Sequence, residues 1–118
     1  MREKDFENRV KAFLKSEGCW FVKYWSGGAV NGLKFTKDGV PDLLVCCNGY
    51  FVGLELKAEN GHPSKLQLWT IDQIREAGGI AMVVYPHQFG MLKELIRELK
   101  KRGGSGDTAG KRGSSVGD

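Results

Sequence analysis

Glu55 and Lys57 stand two residues apart in the run Phe51 to Ala58, where Val52, Leu54, Leu56 and Ala58 alternate with Gly53, Glu55 and Lys57. That alternation is a strand's, so the acid and the base share one face of it and the apolar side chains the other. Asp42 opens the preceding apolar run, Asp42 to Cys47, and the turn-forming pair Asn48-Gly49 joins the two runs. Folded as a hairpin, the runs bring Asp42 toward Glu55 and Lys57. Another carboxylate, Glu7, lies beside the apolar stripe of a helix-like N-terminal segment. Carboxylates gathered this closely raise one another's pKa, a cost that a bound cation removes. Hard oxygen ligands on a rigid sheet suit Mg²⁺ or Mn²⁺. Such an ion polarises a phosphodiester and lowers the pKa of a bound water, while Lys57 orients that water or stabilises charge at phosphorus. The chemistry implied is phosphodiester hydrolysis.

The elements that must hold these residues can be read from periodicity. Phe6, Val10, Phe13 and Leu14 recur at helical spacing over Glu3 to Ser16, and Gly18 follows as a stop. Glu3 lies one turn before Glu7 on the same face and competes with it for the same role. Trp20 to Trp25 is aromatic and β-branched and predicts a first strand. Its Trp20, Tyr24 and Trp25, like Trp69 further on, are expected to pack in the core. Ser26 to Gly39 is rich in turn formers and predicts a long loop containing a hairpin. Val40, preceding Pro41, is pushed toward extended geometry, Asp42 to Cys47 is the second strand, and Phe51 to Ala58 is the third. A helix capped by Ser64 runs to about Ala77, Ile80 to Tyr85 forms a fourth strand, and a third helix begins near Phe89 and ends on Lys100, Lys101 and Arg102. The order αβββαβα predicts an α/β sandwich around a mixed four-stranded sheet.

The segments G-V-P-D (39–42) and G-L-E-L-K (53–57), with Glu7 in F-E-N, resemble the PD-(D/E)xK nuclease superfamily. Within it they are most similar to virus-type replication-repair nuclease (VRR-NUC) domains and, more distantly, to Holliday junction resolvases. The resemblance spans roughly residues 3 to 100. It implies a restriction-endonuclease-like αβββαβ core with an added C-terminal helix, and a metal held by Glu7, Asp42, Glu55 and the backbone carbonyl of Leu56. It also implies a catalytic set of Glu7, Asp42, Glu55 and Lys57, joined by Gln67 early in the second helix, and a serine after strand one, here Ser26. Gln67 shares a helix face with Ile71 and Ile74, which turns it inward toward a water on the metal. Ser26, Lys23, Lys34, Lys37, Ser64 and Lys65 flank the site and are expected to contact nucleic acid. The implied activity is Mg²⁺-dependent cleavage of DNA, branched or junction DNA in particular, by a homodimer in phage replication, recombination or repair. A non-catalytic nucleic-acid-binding module and an RNA-processing nuclease with the same site are the alternatives.

Composition sets bounds on this reading. A chain of 118 residues accommodates one core, here assigned to residues 1–102. The remainder, 103–118, is Gly/Ser-rich, cannot offset its ordering entropy by burial, and is expected to be disordered. Apolar residues make up 41% and charged residues 27%, with a net charge of +4, which permits a polyanionic partner without requiring one. No segment is apolar enough to span a bilayer or serve as a secretory signal, so a cytoplasmic protein of a bacterium or phage-infected cell is expected, with no membrane partner and no small-molecule cofactor. Cys19, Cys46 and Cys47 lack zinc-site spacing and are expected to be free thiols in the core.

Overall fold

The computed structural model describes residues 1–25, 29–34 and 37–104. Helix α1 spans Glu3–Ser16, and its inward residues are Phe6, Val10, Phe13 and Leu14, as their spacing requires. Strand β1 (Trp20–Lys23) follows, shorter at its end than the expected strand to Trp25. A small hairpin, β2 (Ala29–Val30) and β3 (Leu33–Lys34), turns at Asn31-Gly32, both of which have positive φ. Strand β4 (Leu43–Cys47) joins β5 (Tyr50–Leu56) through Asn48-Gly49, again with both residues at positive φ, the geometry of a type I′ turn. Helix α2 (Lys65–Glu76), strand β6 (Ile80–Val84), a single 3₁₀ turn (Pro86–Gln88) and helix α3 (Phe89–Gly104) complete the described chain. Helix α3 thus runs two residues past the expected domain boundary at Arg102; the expected disorder of the tail from 105 onward lies outside the described residues.

The sheet order is β1-β4-β5-β6, antiparallel except for the parallel pair β5 with β6. It is the mixed four-stranded sheet expected from the αβββαβα order. One face carries Leu43, Val45, Cys47, Val52, Leu54 and Leu56, which are buried against Phe6, Val10 and Leu14 of α1 and Leu92, Ile96 and Leu99 of α3. Phe89 stands edge-on to both Phe6 and Phe13 and ties the two helices together.

Helix α2 packs on β5 and β6 on the other face. That leaves the β1 and β4 side open, and here the expectation of buried aromatics is corrected. Trp20 is 66% exposed and Trp25 is 70% exposed, and Trp69 on α2 is also exposed. Trp20, Cys46 and Phe51 lie side by side in register across three strands, all exposed, with no helix among the described residues over that row. Cys46 is accordingly a surface thiol, whereas Cys19 and Cys47 are buried. Tyr24 is half-buried, and its hydroxyl bonds the backbone of Lys37 at both N–H and carbonyl. No helix among the described residues is long and apolar enough to cross a membrane.

Candidate active site

The β4–β5 hairpin register puts the site together. Its last pair is Leu43 with Leu54, so one step further Asp42 faces Glu55. There β5 outruns β4, and the Leu56 N–H donates instead to Oδ2 of Asp42 at 2.8 Å. This fixes Asp42 against the strand that carries Glu55 and Lys57. Leu56, whose carbonyl is an expected ligand, therefore has its amide turned toward Asp42.

Two glycines make room for this arrangement. Pro41 lies over Gly53, where a Cβ would come within 3.1 Å of the Pro41 Cγ. Gly39 has φ +82° and fits so closely against α2 that a Cβ would meet Leu66 Cγ at 2.6 Å and the Leu66 carbonyl oxygen at 3.1 Å. A side chain there would be strained in backbone and excluded by contact. The glycines of G-V-P-D and G-L-E-L-K hence seat the proline-aspartate corner between β5 and α2.

Glu55 is 1% exposed. Its Oε2 accepts from Gln67 Nε2 at 2.8 Å and lies 3.3 Å from Lys57 Nζ, but its buried Oε1 has no hydrogen-bond partner among the described residues. Burial first, and then the charge of Asp42, push the Glu55 carboxyl up to about 7, although Lys57 opposes them. A surface Glu-Lys ion pair would show neither this burial nor the raised carboxyl.

Gln67 acts twice. It is the N3 residue of a capping box in which Ser64 Oγ accepts from the Gln67 N–H at 3.1 Å and Gln67 Oε1 accepts from the Ser64 N–H at 2.8 Å. The remaining side-chain nitrogen is left for Glu55. Ser64, expected to contact nucleic acid, has its hydroxyl engaged in this cap.

Glu7 is also buried, at 5% exposure, but its neighbours are lysines. Lys23 Nζ is 2.6 Å from Oε1, and Lys11 and Lys4 are 3.1 and 3.7 Å from Oε2. Burial by itself would raise the Glu7 carboxyl, but Lys23 and Lys11 outweigh it and hold the group below its ordinary value. Glu3 is exposed, yet its charge adds to the raising of Glu55. Lys23, expected as a flanking phosphate contact, sits instead among the acids, 3.9 Å from Oδ1 of Asp42 as well. Its position on β1, opposite Leu43, signals the approach to Asp42 but not the contact with Glu7. Lys37 and Lys65 are exposed. Ser26 and the side chain of Lys34 lie outside the described residues.

Among the described residues, no three acidic, histidine or cysteine side chains form a ready-made metal cage. Lys23 takes Oε1 of Glu7, while its Oε2 has lysines at 3.1 and 3.7 Å but no hydrogen bond among the described residues, and a backbone amide takes one oxygen of Asp42. The donors that fit a hard divalent cation are the partnerless Oε1 of Glu55 and Oδ1 of Asp42, whose nearest cation is the lysine at 3.9 Å.

No family model matches the chain, and no curated protein matches it. Among solved structures, one described as a VRR_NUC domain aligns over 84% of this chain and 94% of its own, with a TM-score of 0.56 and 24% identity. The chain therefore has the fold of that domain, a mixed four-stranded sheet flanked by helices.

Proposed function

We propose that the chain is a Mg²⁺- or Mn²⁺-dependent endonuclease that hydrolyses DNA phosphodiester bonds. The observation that carries this reading is the buried, partnerless carboxylate oxygen of Glu55 across from Asp42, with Lys57 beside it. A protein that merely binds nucleic acid gains nothing from burying acids where phosphates approach. Asp42 and Glu55 would hold the cation, with Glu7 and the Leu56 carbonyl as further donors. Bound there, the ion would supply charge stabilisation at the phosphate and a more acidic water.

The chain's own side chains do the rest. Lys57 brings a fixed positive charge to the edge of the acid pair, where negative charge develops on a phosphate during attack. Gln67, held by the α2 cap, keeps Glu55 in one orientation. Lys37 and Lys65 are exposed donors for the flanking backbone.

The preference for branched or junction DNA in phage replication, recombination or repair, and a homodimeric assembly, belong to the same proposal. Their support is the sequence resemblance together with the fold. A single small domain with one site needs a second copy to cut both strands of a junction, and two-fold symmetry matches that substrate. The test is cleavage of matched linear, flapped, Y-shaped and four-way-junction DNA, with RNA counterparts, in the presence of Mg²⁺ or Mn²⁺. Cutting of a branched DNA is the expected result. Cutting of RNA alone, or binding of all substrates without cutting, would overturn the proposal.

A further inference from the structure

We propose that Lys23 competes with a divalent cation for Glu7 and Asp42, and turns to a substrate phosphate when the cation displaces it. This rests on the metal-site reading above and assigns a role in it to a residue on β1.

The geometry is that of a cation held between two acids. Lys23 is the last residue of β1, and its ammonium lies 2.6 Å from Oε1 of Glu7 and 3.9 Å from Oδ1 of Asp42. Its side chain is only 21% exposed, which for a lysine means desolvation that the two carboxylates must offset. Glu7 does not need this lysine for neutrality, because Lys11 and Lys4 also approach it. What Lys23 adds is one positive charge that faces both acids and stands 3.9 Å from an oxygen fit for a metal.

A divalent ion held by Asp42 and an ammonium 3.9 Å from the same carboxylate would repel each other in a partly buried site. One must yield. Lys23 has somewhere to go: its ammonium already stands 5.3 Å from the centre of the Trp25 ring, and that ring is largely exposed beyond the end of the strand. The aromatic face offers the displaced charge a second seat at the rim of the site. From the rim, the four-carbon stem can reach a phosphate without moving the strand. Metal and DNA would then favour each other's binding, since the ion frees the lysine that the phosphate uses, and such coupling is reciprocal.

The test is Mn²⁺ binding to the full chain by calorimetry without DNA, comparing wild type with Lys23→Met and Lys23→Gln. Both variants should bind Mn²⁺ more tightly, by at least about ten-fold, as expected when a competing charge is removed. A second measurement uses Trp20→Phe/Trp69→Phe, which leaves Trp25 as the sole tryptophan. Saturating Mg²⁺ should shift its emission, and Lys23→Met in the same background should abolish the shift. Wild-type binding of Mn²⁺ with unchanged or weaker affinity in both variants overturns this proposal and leaves the metal site standing. Emission that ignores Mg²⁺ in a protein that binds it does the same. Absence of Mn²⁺ binding in wild type and variants alike overturns both the metal site and the role given to Lys23.

Discussion

The side-chain amide of Gln67 joins the first turn of α2 to Glu55, its nitrogen donating to Oε2 at 2.8 Å while its oxygen accepts from the Ser64 N–H at 2.8 Å. Helix cap and buried acid are therefore one unit. Gln67→Glu keeps a residue suited to the capping box but sets a second carboxylate against Glu55. It should melt near wild type at pH 5 and lose cleavage at pH 8, whereas Gln67→Ala should lose about 1 kcal/mol of stability with the cap. Thermal melts at the two pH values, run beside cleavage assays, check both.

The raised Glu55 carboxyl gives a signed pH dependence. Its folded value, about 7, lies above the ordinary 4.5, so folding takes up a proton between them. The associated stability is fully present below about pH 4.5 and is lost as pH rises through about 7, a difference of roughly 3 kcal/mol for a group so placed. Denaturant melts of metal-free protein from pH 4.5 to 8 should show that decline, and Glu55→Gln should flatten it. A wild-type curve as flat as the variant's would contradict the buried-acid geometry.

Asp42 has a structural bond and a charge, which two substitutions separate. Asp42→Asn retains an oxygen for the Leu56 N–H and removes the charge that raises Glu55, so it should be inactive and no less stable than wild type. Asp42→Ala loses the acceptor too and should cost about 1–2 kcal/mol. If Asn proved as destabilising as Ala in chemical denaturation, the role of the Leu56 bond would be wrong.

Gly39 should tolerate no side chain. Gly39→Ala meets Leu66 and a positive φ together, and a loss of about 1–3 kcal/mol is expected, with activity falling as the Asp42 corner shifts. Gly49, also at positive φ but with nothing within 4 Å of its added Cβ, is the control that carries the backbone cost alone. A milder effect at Gly39 than at Gly49 would remove the close approach from the account.

Much of this architecture is legible in the sequence. Helical spacing at Phe6, Val10, Phe13 and Leu14 and alternation from Val52 to Leu56 reflect burial against a single core, and local periodicity records such burial directly. The meeting of Asp42 and Glu55 followed from a two-residue turn, which sets the register of everything before and after it. The exposure of Trp20 and Cys46 was not legible, because it depends on how far α2 reaches across the sheet, and that of Trp25 follows from β1 ending at Lys23. Nor was the place of Lys23 beside Glu7. That contact joins the end of β1 to a helix packed from elsewhere, and strand alternation says nothing of where a long flexible side chain settles.

The central claim is that Asp42 and Glu55 hold a cation needed for phosphodiester hydrolysis. Its most direct test is the single-turnover cleavage rate of a branched DNA with Mg²⁺, measured for wild type with and without excess EDTA and for Asp42→Asn. The account predicts cleavage by wild type with Mg²⁺, and none above background in EDTA or with Asp42→Asn. Wild-type cleavage that survives EDTA, or normal turnover by Asp42→Asn, would contradict it.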